Sequence, residues 1–369
     1  MPRIIHTADI HLGMKFSDLG RAGNIIRKYQ RKAFAAIVEM AIEKDADFLV
    51  IAGDLFDSKL VSDATYRFVA SELRKLEDTS VIVIPGTHDP AGAELIWNRF
   101  KKENLPENIK LILQPEDSPV TFTEKDTTFW LKPNQESNSP ESPLPELQDN
   151  SLSQYHIAVA HGTAQIGGMQ AKDDFPFSQE EIQNSGFDYI ALGHWHSFKR
   201  VGESNAYYPG AAEQSKFGLE DAGNILVVDI NDSGVSVEKV NIGRTRWHDI
   251  KLDTEVMKSP GDILKELETF SGESNILRCK IVGQQLPGIN FDTEKLENEL
   301  DEQFCFIRII DETSAQMIEE MIPNFSPYTI TGQFVKIVRE RMESSTPEMK
   351  DVLEDSLKLG CRLLSGERK

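Results

Sequence analysis

FLVIAGDLFD, the stretch Phe48–Asp57, predicts the central element of the fold. Its first five residues are all apolar, as expected of a parallel strand that is covered on both faces. The strand runs directly into Gly53 and Asp54, so a tight turn and a carboxylate follow its carboxyl end, and Asp57 adds a second carboxylate. In open α/β sheets, ligands bind beyond the carboxyl ends of the strands. We therefore predict an α/β fold with a functional site at this edge.

Four other apolar segments also end in acidic or imidazole side chains. They lead into Asp9–His11, Gly86–Asp89, His161-Gly162 and Gly193–His196. Singly each is a weak signal, because an Asp after a strand often forms a turn and a lone His is often structural. Together they repeat the ligand set that suits manganese, iron or zinc, with no thiolate among them. The recurrence predicts a metal centre, with Asp54 as the candidate bridging ligand.

The composition of the chain limits which classes of protein are possible. The chain has 369 residues, enough for two or three domains, and no apolar run approaches the ~20 residues of a membrane span. We expect no signal peptide, because a charged leader followed by an apolar stretch is missing. Three widely spaced cysteines favour a reduced, cytoplasmic protein: Cys279, Cys305 and Cys361. The net charge of −20 opposes strong nucleic-acid binding, which uses basic patches.

The N-terminal part alternates predicted strands with predicted helices. Asn24–Glu43 carries apolar residues at three- and four-residue steps, which predicts a helix, and a second helix is predicted to begin at Ser62 or Asp63. With the strand Val81–Ile84 these elements give a βαβαβ start. The closing antiparallel strands of a second sheet are predicted at Tyr207–Gly210, Ile225–Ile230 and Val235–Val240.

Two segments between these elements lack a periodic pattern. Lys132–Gln154 is rich in Pro, Ser, Asn and Glu, and we predict a surface loop or a partly disordered insertion without chemistry. The stretch containing Gly167-Gly168 is predicted to be mobile near the site. Strands are predicted to resume at Ile157 and Tyr189.

The pattern changes again near Asn241–Arg244, where we place a domain boundary. Residues 244–312 alternate strand and helix signals and predict a small α/β domain. Residues 313–369 predict a helical segment with an apolar stripe formed by Val352, Leu353, Leu357, Leu359, Leu363 and Leu364. The predicted domains are therefore 1–243, 244–312 and 313–369.

Five ordered motifs span the first part of the chain. They read DxH (Asp9–His11), GDxFD (Gly53–Asp57), GxHD (Gly86–Asp89), HG (His161-Gly162) and GHxH (Gly193–His196). This set resembles the motifs of the calcineurin-like metallophosphoesterases. The opening IIHTADIHLG, Ile4–Gly13, is more specifically similar to the SbcD-type DNA repair exonucleases of the meiotic-recombination nuclease family. The resemblance implies a four-layer α/β/β/α sandwich, a smaller α/β capping domain and C-terminal helices.

The resemblance also implies a site for two divalent metal ions, expected to be Mn²⁺. The ligands it implies are Asp9, His11, Asp54 and His196 for the first ion, and Asp54, Thr87, His161 and His194 for the second. His88 would stabilise the transition state and protonate the leaving oxygen, and Asp89 would lie behind His88 and orient it. The family has Asn where this chain has Thr87. Because a threonine hydroxyl is a shorter and poorer donor, we expect a weaker second metal site.

Three functions stay open on the sequence alone. The first is a manganese-dependent DNA nuclease that trims double-stranded ends 3′ to 5′ and cuts single strands or hairpins, as the SbcD-type resemblance implies. The second is a small-molecule phosphodiesterase or phosphatase, which the acidic composition favours. The third is a weakly catalytic scaffold that binds DNA ends. The partners implied are DNA, an SbcC-type SMC-like ATPase docked on the C-terminal helices, and a second copy of the chain in a homodimer; no membrane partner is expected.

Overall fold

The computed structural model describes residues 1–58, 61–148, 152–166, 174–254, 256–257, 259–283, 292–313, 326, 328–343 and 345–364. The chain divides into two compact units. The first comprises Met1–His248 and Gly272–Ile276, and the second comprises Asp249–Ser271 and Leu277–Lys369. Within the described ranges, no helix is both long and apolar enough to cross a bilayer.

In its described residues the first unit has two six-stranded sheets, a two-stranded sheet and four α-helices. Its helices are α1 (Ala22–Glu43), α2 (Asp63–Leu73), α3 (Glu94–Lys101) and α4 (Gln179–Asn184). Its strands in chain order are β1 (Arg3–Thr7), β2 (Phe48–Ala52), β3 (Ser80–Ile84), β4 (Ile109–Leu111), β5 (Val120–Phe122), β6 (Thr127–Leu131), β7 (Tyr155–His161), β8 (Thr163–Gln165), β9 (Pro176–Ser178), β10 (Tyr189–Gly193), β11 (Lys199–Arg200), β12 (Ala206–Tyr208), β13 (Asn224–Asn231) and β14 (Gly234–Asn241). Strands β8 and β9 form a separate two-stranded sheet.

Strand β2 lies inside the first sheet, whose order is β14-β13-β1-β2-β3-β4. All five of its residues are buried, and they alternate between two cores. Leu49 and Ile51 pack with the apolar side of α1, including Phe34. Phe48 and Val50 pack against the second sheet. With Ile182 of α4 in the core on the outer face of that sheet, the layers run α/β/β/α, which confirms the predicted fold class.

The hairpin β13–β14 was predicted to close the second sheet, and this prediction is wrong. Strand β13 pairs antiparallel with β1 in the first sheet, from Arg3 opposite Asp229 to His6 opposite Leu226. The second sheet has the order β11-β12-β10-β7-β6-β5 and includes only the first of the three predicted strands. The hairpin joins β1 because that buried strand needs a partner for the backbone groups on the edge away from β2.

The segment Lys132–Gln154 is a packed loop in the part that the structure describes. It has no regular strand or helix over 132–148, yet Asn134 is 2% exposed and Leu144 is also buried. The amide of Ala91 donates to the Asn134 carbonyl oxygen at 2.8 Å, which ties the loop to the turn after β3. Of the two predicted alternatives, the loop is therefore confirmed for 132–148, where it is packed. The predicted mobile stretch at Gly167-Gly168 lies outside the described residues.

The second unit contains most of a three-stranded sheet, of which Arg246–His248 and Gly272–Ile276 belong to the first unit, and a pair of C-terminal helices. Strands β15 (Arg246–Asp253), β16 (Gly272–Val282) and β17 (Phe304–Asp311) form the sheet, and helices α5 (Pro260–Glu268) and α6 (Thr293–Leu300) bury Ile263, Leu267 and Leu300 in its core. The helices α7 (Ile330–Glu343) and α8 (Pro347–Leu364) pack through Val335, Val338, Leu357 and Cys361. Residues 314–325 of the predicted helical tail lie outside the described part of the chain.

Candidate metal centre

The candidate ligands lie in the turns that follow the parallel strands. Asp9 and His11 follow β1, and Asp54 follows β2. All three have φ near +50°, in the left-handed region that Asp and His adopt more readily than most residues. The amide of Asp9 donates to Gly53 O at 3.2 Å, and the amide of His11 donates to Asp54 O at 2.9 Å. Each turn therefore holds the other in place.

Glycines allow the two sheets to approach each other at this edge. A Cβ atom on Gly193 would lie 1.8 Å from the carbonyl oxygen of Ala52, and one on Gly53 would lie 2.2 Å from His161 Nδ1. No side chain fits in either space. The strand ends of both sheets consequently bring their polar residues into one site.

Asp9, His11 and His196 form one candidate metal position. Their donor atoms lie within 4.8 Å of one another, and the Nε2 atoms of His11 and His196 are 3.1 Å apart. His196 Nε2 is 4.0 Å from Asp9 Oδ1. Ligands bound at about 2.0–2.2 Å to one ion lie roughly 3–4 Å from each other, so this spacing fits a divalent metal.

Asp54 joins this position to a second one. Its Oδ2 lies 3.8 Å from His11 Nε2 and 3.3 Å from His161 Nε2, and it accepts a hydrogen bond of 3.2 Å from the Thr87 hydroxyl. His161 Nδ1 is bonded to the carbonyl oxygen of Ala52 at 2.9 Å. His161 Nε2 is buried, and its 3.3 Å contact with Asp54 Oδ2 does not have the geometry of a hydrogen bond. A buried nitrogen with no partner is costly, whereas a metal ligand needs its lone pair, so the donors fit the expected ion.

Buried carboxylates dominate the electrostatics of these two positions. Burial lowers the pKa of His161, but the adjacent Asp54 raises it more, to about 9. Burial raises the pKa of Asp54, yet His161 and His11 hold it well below its ordinary value. The pKa of His11 is lowered by burial and raised further by nearby carboxylates, so it ends above its ordinary value. The pKa of His196 falls to about 4, because burial outweighs Asp9. The negative charge here favours cations.

His88 stands at the open side of the site. Its side chain is 48% exposed, and its Nδ1 lies 2.9 Å from the carbonyl oxygen of Asp57. Its backbone amide donates to Asp54 Oδ1 at 2.8 Å. The ring is therefore held through one nitrogen while it faces solvent.

The carboxylate of Asp89 is held by backbone donors of two turns. Its fully buried carboxylate accepts hydrogen bonds from the amides of Gly86 at 2.8 Å and Phe56 at 2.9 Å. Burial and the charge of Asp54 raise the pKa of Asp89 to about 7. The ring of His88 is hydrogen-bonded to the backbone of Asp57, and the role of Asp89 in orienting His88 stays a prediction. Asp89 thus stabilises the turn that carries the candidate site residues.

His194 lies beside the second position with its ring turned toward a residue that the motifs did not reveal. Its backbone amide donates to both oxygens of Asp9 at 3.0 Å, and its φ is 111°. Its ring packs edge-on against His161 with centroids 5.3 Å apart. Its Nε2 donates to Asp174 Oδ2 at 2.8 Å, and this hydrogen bond holds the pKa of Asp174 below its ordinary value. Among the described residues, His194 is not part of any group of three possible metal ligands whose donor atoms lie within 4.8 Å of one another.

Two more residues support the site without belonging to a motif. Asn134 donates to the His161 carbonyl oxygen at 3.1 Å. Tyr208 donates to Gly162 O at 2.8 Å and accepts from Ala164 N at 2.9 Å. Asn134 follows the carboxyl end of β6, and that placement was the one sequence signal for it. Nothing in the sequence singled out Tyr208 or Asp174.

Comparison with known proteins identifies the class of this site. A model of the calcineurin-like phosphoesterase family matches residues 2–198, more than half of the chain, so the protein belongs to that family. It is a metal-dependent phosphoester hydrolase of a fold that carries a dinuclear metal site.

Individual relatives were also found. The chain is 25% identical to the uncharacterized metallophosphoesterase YhaO of Bacillus subtilis (strain 168), over 95% of this chain and 88% of that protein. Among solved structures it is similar to TT1561 of Thermus thermophilus, with a TM-score of 0.38, 12% identity, and coverage of 65% of this chain and 98% of that one.

Proposed function

We propose that this protein is a manganese-dependent DNA nuclease of the SbcD type that acts in DNA repair. The proposed activities are 3′-to-5′ trimming of double-stranded ends and cutting of single strands or hairpins. The proposed hydrolysis is supported by the position of Asp54, whose Oδ2 lies within 4 Å of both His11 Nε2 and His161 Nε2. The DNA part is supported by the opening Ile4–Gly13, which is similar to the SbcD type.

The chemistry follows from the needs of phosphodiester hydrolysis. Two bound metals supply an activated water and offset charge on the attacking and leaving oxygens. Asp9, His11 and His196 would hold one ion. Thr87, His161 and His194 would hold the second, and Asp54 would be a ligand of both. His88 would protonate the leaving oxygen, because Nδ1 is held by the carbonyl oxygen of Asp57 and the exposed ring can present Nε2 to a substrate.

The charge of the protein favours a second candidate, a hydrolase of small phosphodiesters. The net charge is −20, and several basic side chains near the motifs are engaged with their own protein. Lys199 lies 4.8 Å from the centre of the Trp195 ring, and Arg200 donates to the carbonyl oxygens of Ser204 and Glu203. A nuclease with this surface would depend on a partner for much of its grip on DNA.

That partner is proposed to be an SbcC-type SMC-like ATPase that binds α8. One side of α8 buries Leu357 and Cys361 against α7. Val352 and Leu359 are each 58% exposed, so apolar side chains remain for docking. The paired substitution Val352→Asp with Leu359→Asp should abolish co-purification with the ATPase, and unchanged binding would contradict the docking site. Ser356→Asp, at an exposed polar position of the same helix, is the control.

Cleavage assays separate the candidate functions. End-labelled linear and hairpin DNA, and bis(p-nitrophenyl) phosphate, are incubated with Mn²⁺ in the presence and absence of the ATPase. The proposed nuclease shortens the labelled DNA. Hydrolysis of the small diester without action on DNA, even with the ATPase, would select the small-diester enzyme. Intact ATPase binding without any cleavage would select a scaffold.

The three buried free thiols fit the proposed cytoplasmic location.

A further inference from the structure

Asp174 is a carboxylate fixed beside the second metal position. It accepts hydrogen bonds at Oδ2 from His194 Nε2 at 2.8 Å and from the Thr163 hydroxyl at 2.9 Å. Its backbone is held as well: Asp174 pairs with Ser139 in an isolated bridge, and its carbonyl oxygen accepts from the amide of Thr163. The carboxylate is therefore anchored to Thr163, the first residue of β8, which follows His161 by two positions.

The bond to Asp174 decides which nitrogen of His194 is available. An ionised carboxylate can only accept, so Nε2 must carry the proton and Nδ1 keeps its lone pair. Histidines that bind metals commonly donate their other ring N–H to a carboxylate, which fixes the ring and makes the ligating nitrogen more basic. The ring of His194 packs edge-on against that of His161, so it lies on the side of the second position.

The second position needs such support in this chain. Thr87 supplies only a hydroxyl, which donates its proton to Asp54 Oδ2. A neutral hydroxyl is a weak metal ligand compared with a carboxylate or an imidazole. A more basic and better oriented His194 would offset part of that weakness.

We propose that Asp174 is a positioning residue of the metal centre: it fixes His194 in the tautomer that ligates through Nδ1 and so strengthens the second metal position. The proposal depends on the two-metal site of the proposed function. It does not depend on DNA as the substrate.

Titration of Mn²⁺ into the full-length protein tests the proposal without any need for turnover. Asp174→Asn keeps the shape of the side chain and removes its charge. We expect the weaker of two Mn²⁺ sites to lose about 10–100-fold in affinity, and the tighter site to change by less than threefold. Asp229→Asn is the matched control, because Asp229 is also ion-paired, to Arg3, and its side chain is 41% exposed against 43% for Asp174. It should leave both affinities unchanged.

The alternative results are distinct. Two affinities within threefold of wild type in Asp174→Asn would overturn the proposal, as would an equal loss at both sites together with a lower melting temperature. The double variant Thr87→Asn with Asp174→Asn should recover part of the lost affinity, and no recovery would also count against the proposal. If the wild-type protein binds two ions and cleaves no phosphodiester while Asp174→Asn loses the weaker ion, the proposed function fails and the role of Asp174 stands.

Discussion

Replacing Gly193 with alanine tests whether the contact between the two sheets builds the site. The new Cβ would lie 1.8 Å from the carbonyl oxygen of Ala52 and 2.7 Å from His161 Nδ1. Real Cβ contacts are essentially never shorter than 3.0 Å, so the strand ends must separate by about 1.2 Å or more in a close-packed region. Overpacking of this kind costs about 1–3 kcal/mol. Loss of the hydrogen bond between His161 Nδ1 and the Ala52 carbonyl oxygen adds about 1 kcal/mol to this cost.

We therefore expect Gly193→Ala to lower the free energy of unfolding by about 2–4 kcal/mol. Urea denaturation measures this as a lower midpoint with an unchanged slope. Because His161 moves with the strand end, Mn²⁺ affinity should fall as well. Gly261→Ala is the control: it lies in α5, its Cβ would meet only Ser259 Oγ at 3.7 Å, and it should be neutral or slightly stabilising. A loss below about 1 kcal/mol with unchanged metal binding would show that this contact between the sheets does not build the site.

Two other predictions concern the second metal position. Thr87→Asn should tighten Mn²⁺ binding there about tenfold and raise turnover; no change in either would show that Thr87 is not at the metal. Burial lowers the pKa of His161 and Asp54 raises it to about 9, so metal must displace a proton below that pH. Calorimetry in buffers of different ionisation enthalpy should detect about one proton released at pH 7 and about tenfold tighter binding at pH 8. Without metal, the same proton stabilises the fold fully below pH ~6.5, and this stability is lost as pH rises through about 9. Binding that does not vary with pH would contradict this account.

The sequence identified the centre of the fold because β2 is apolar throughout and ends in a Gly-Asp turn. Burial on both faces requires that pattern, and parallel strands bring their carboxyl ends to one edge. It did not reveal which sheet the hairpin β13–β14 joins. Alternation of apolar residues reports which face of a strand is buried, but not which strand is its neighbour.

The proximity of the candidate ligands was predictable where a motif carried them, and the neighbours that come from tertiary contacts were not. Asp9, His11, Asp54, His161 and His196 meet as their positions after strands suggested. The backbone amides that hold Asp89 could not be predicted from its nearness in sequence to His88. Asp174 lies in a loop, and only the fold brings it to His194.

We propose that Asp54 links the two metal positions at which phosphodiesters are hydrolysed. The most direct test compares wild type and Asp54→Asn for Mn²⁺ stoichiometry and for hydrolysis of bis(p-nitrophenyl) phosphate. Asparagine has nearly the same shape and tolerates the φ of 53° found there, so the variant should fold. We expect two bound ions and hydrolysis in wild type, with loss of at least one ion and of the hydrolysis in Asp54→Asn. Equal hydrolysis by the two proteins would contradict it.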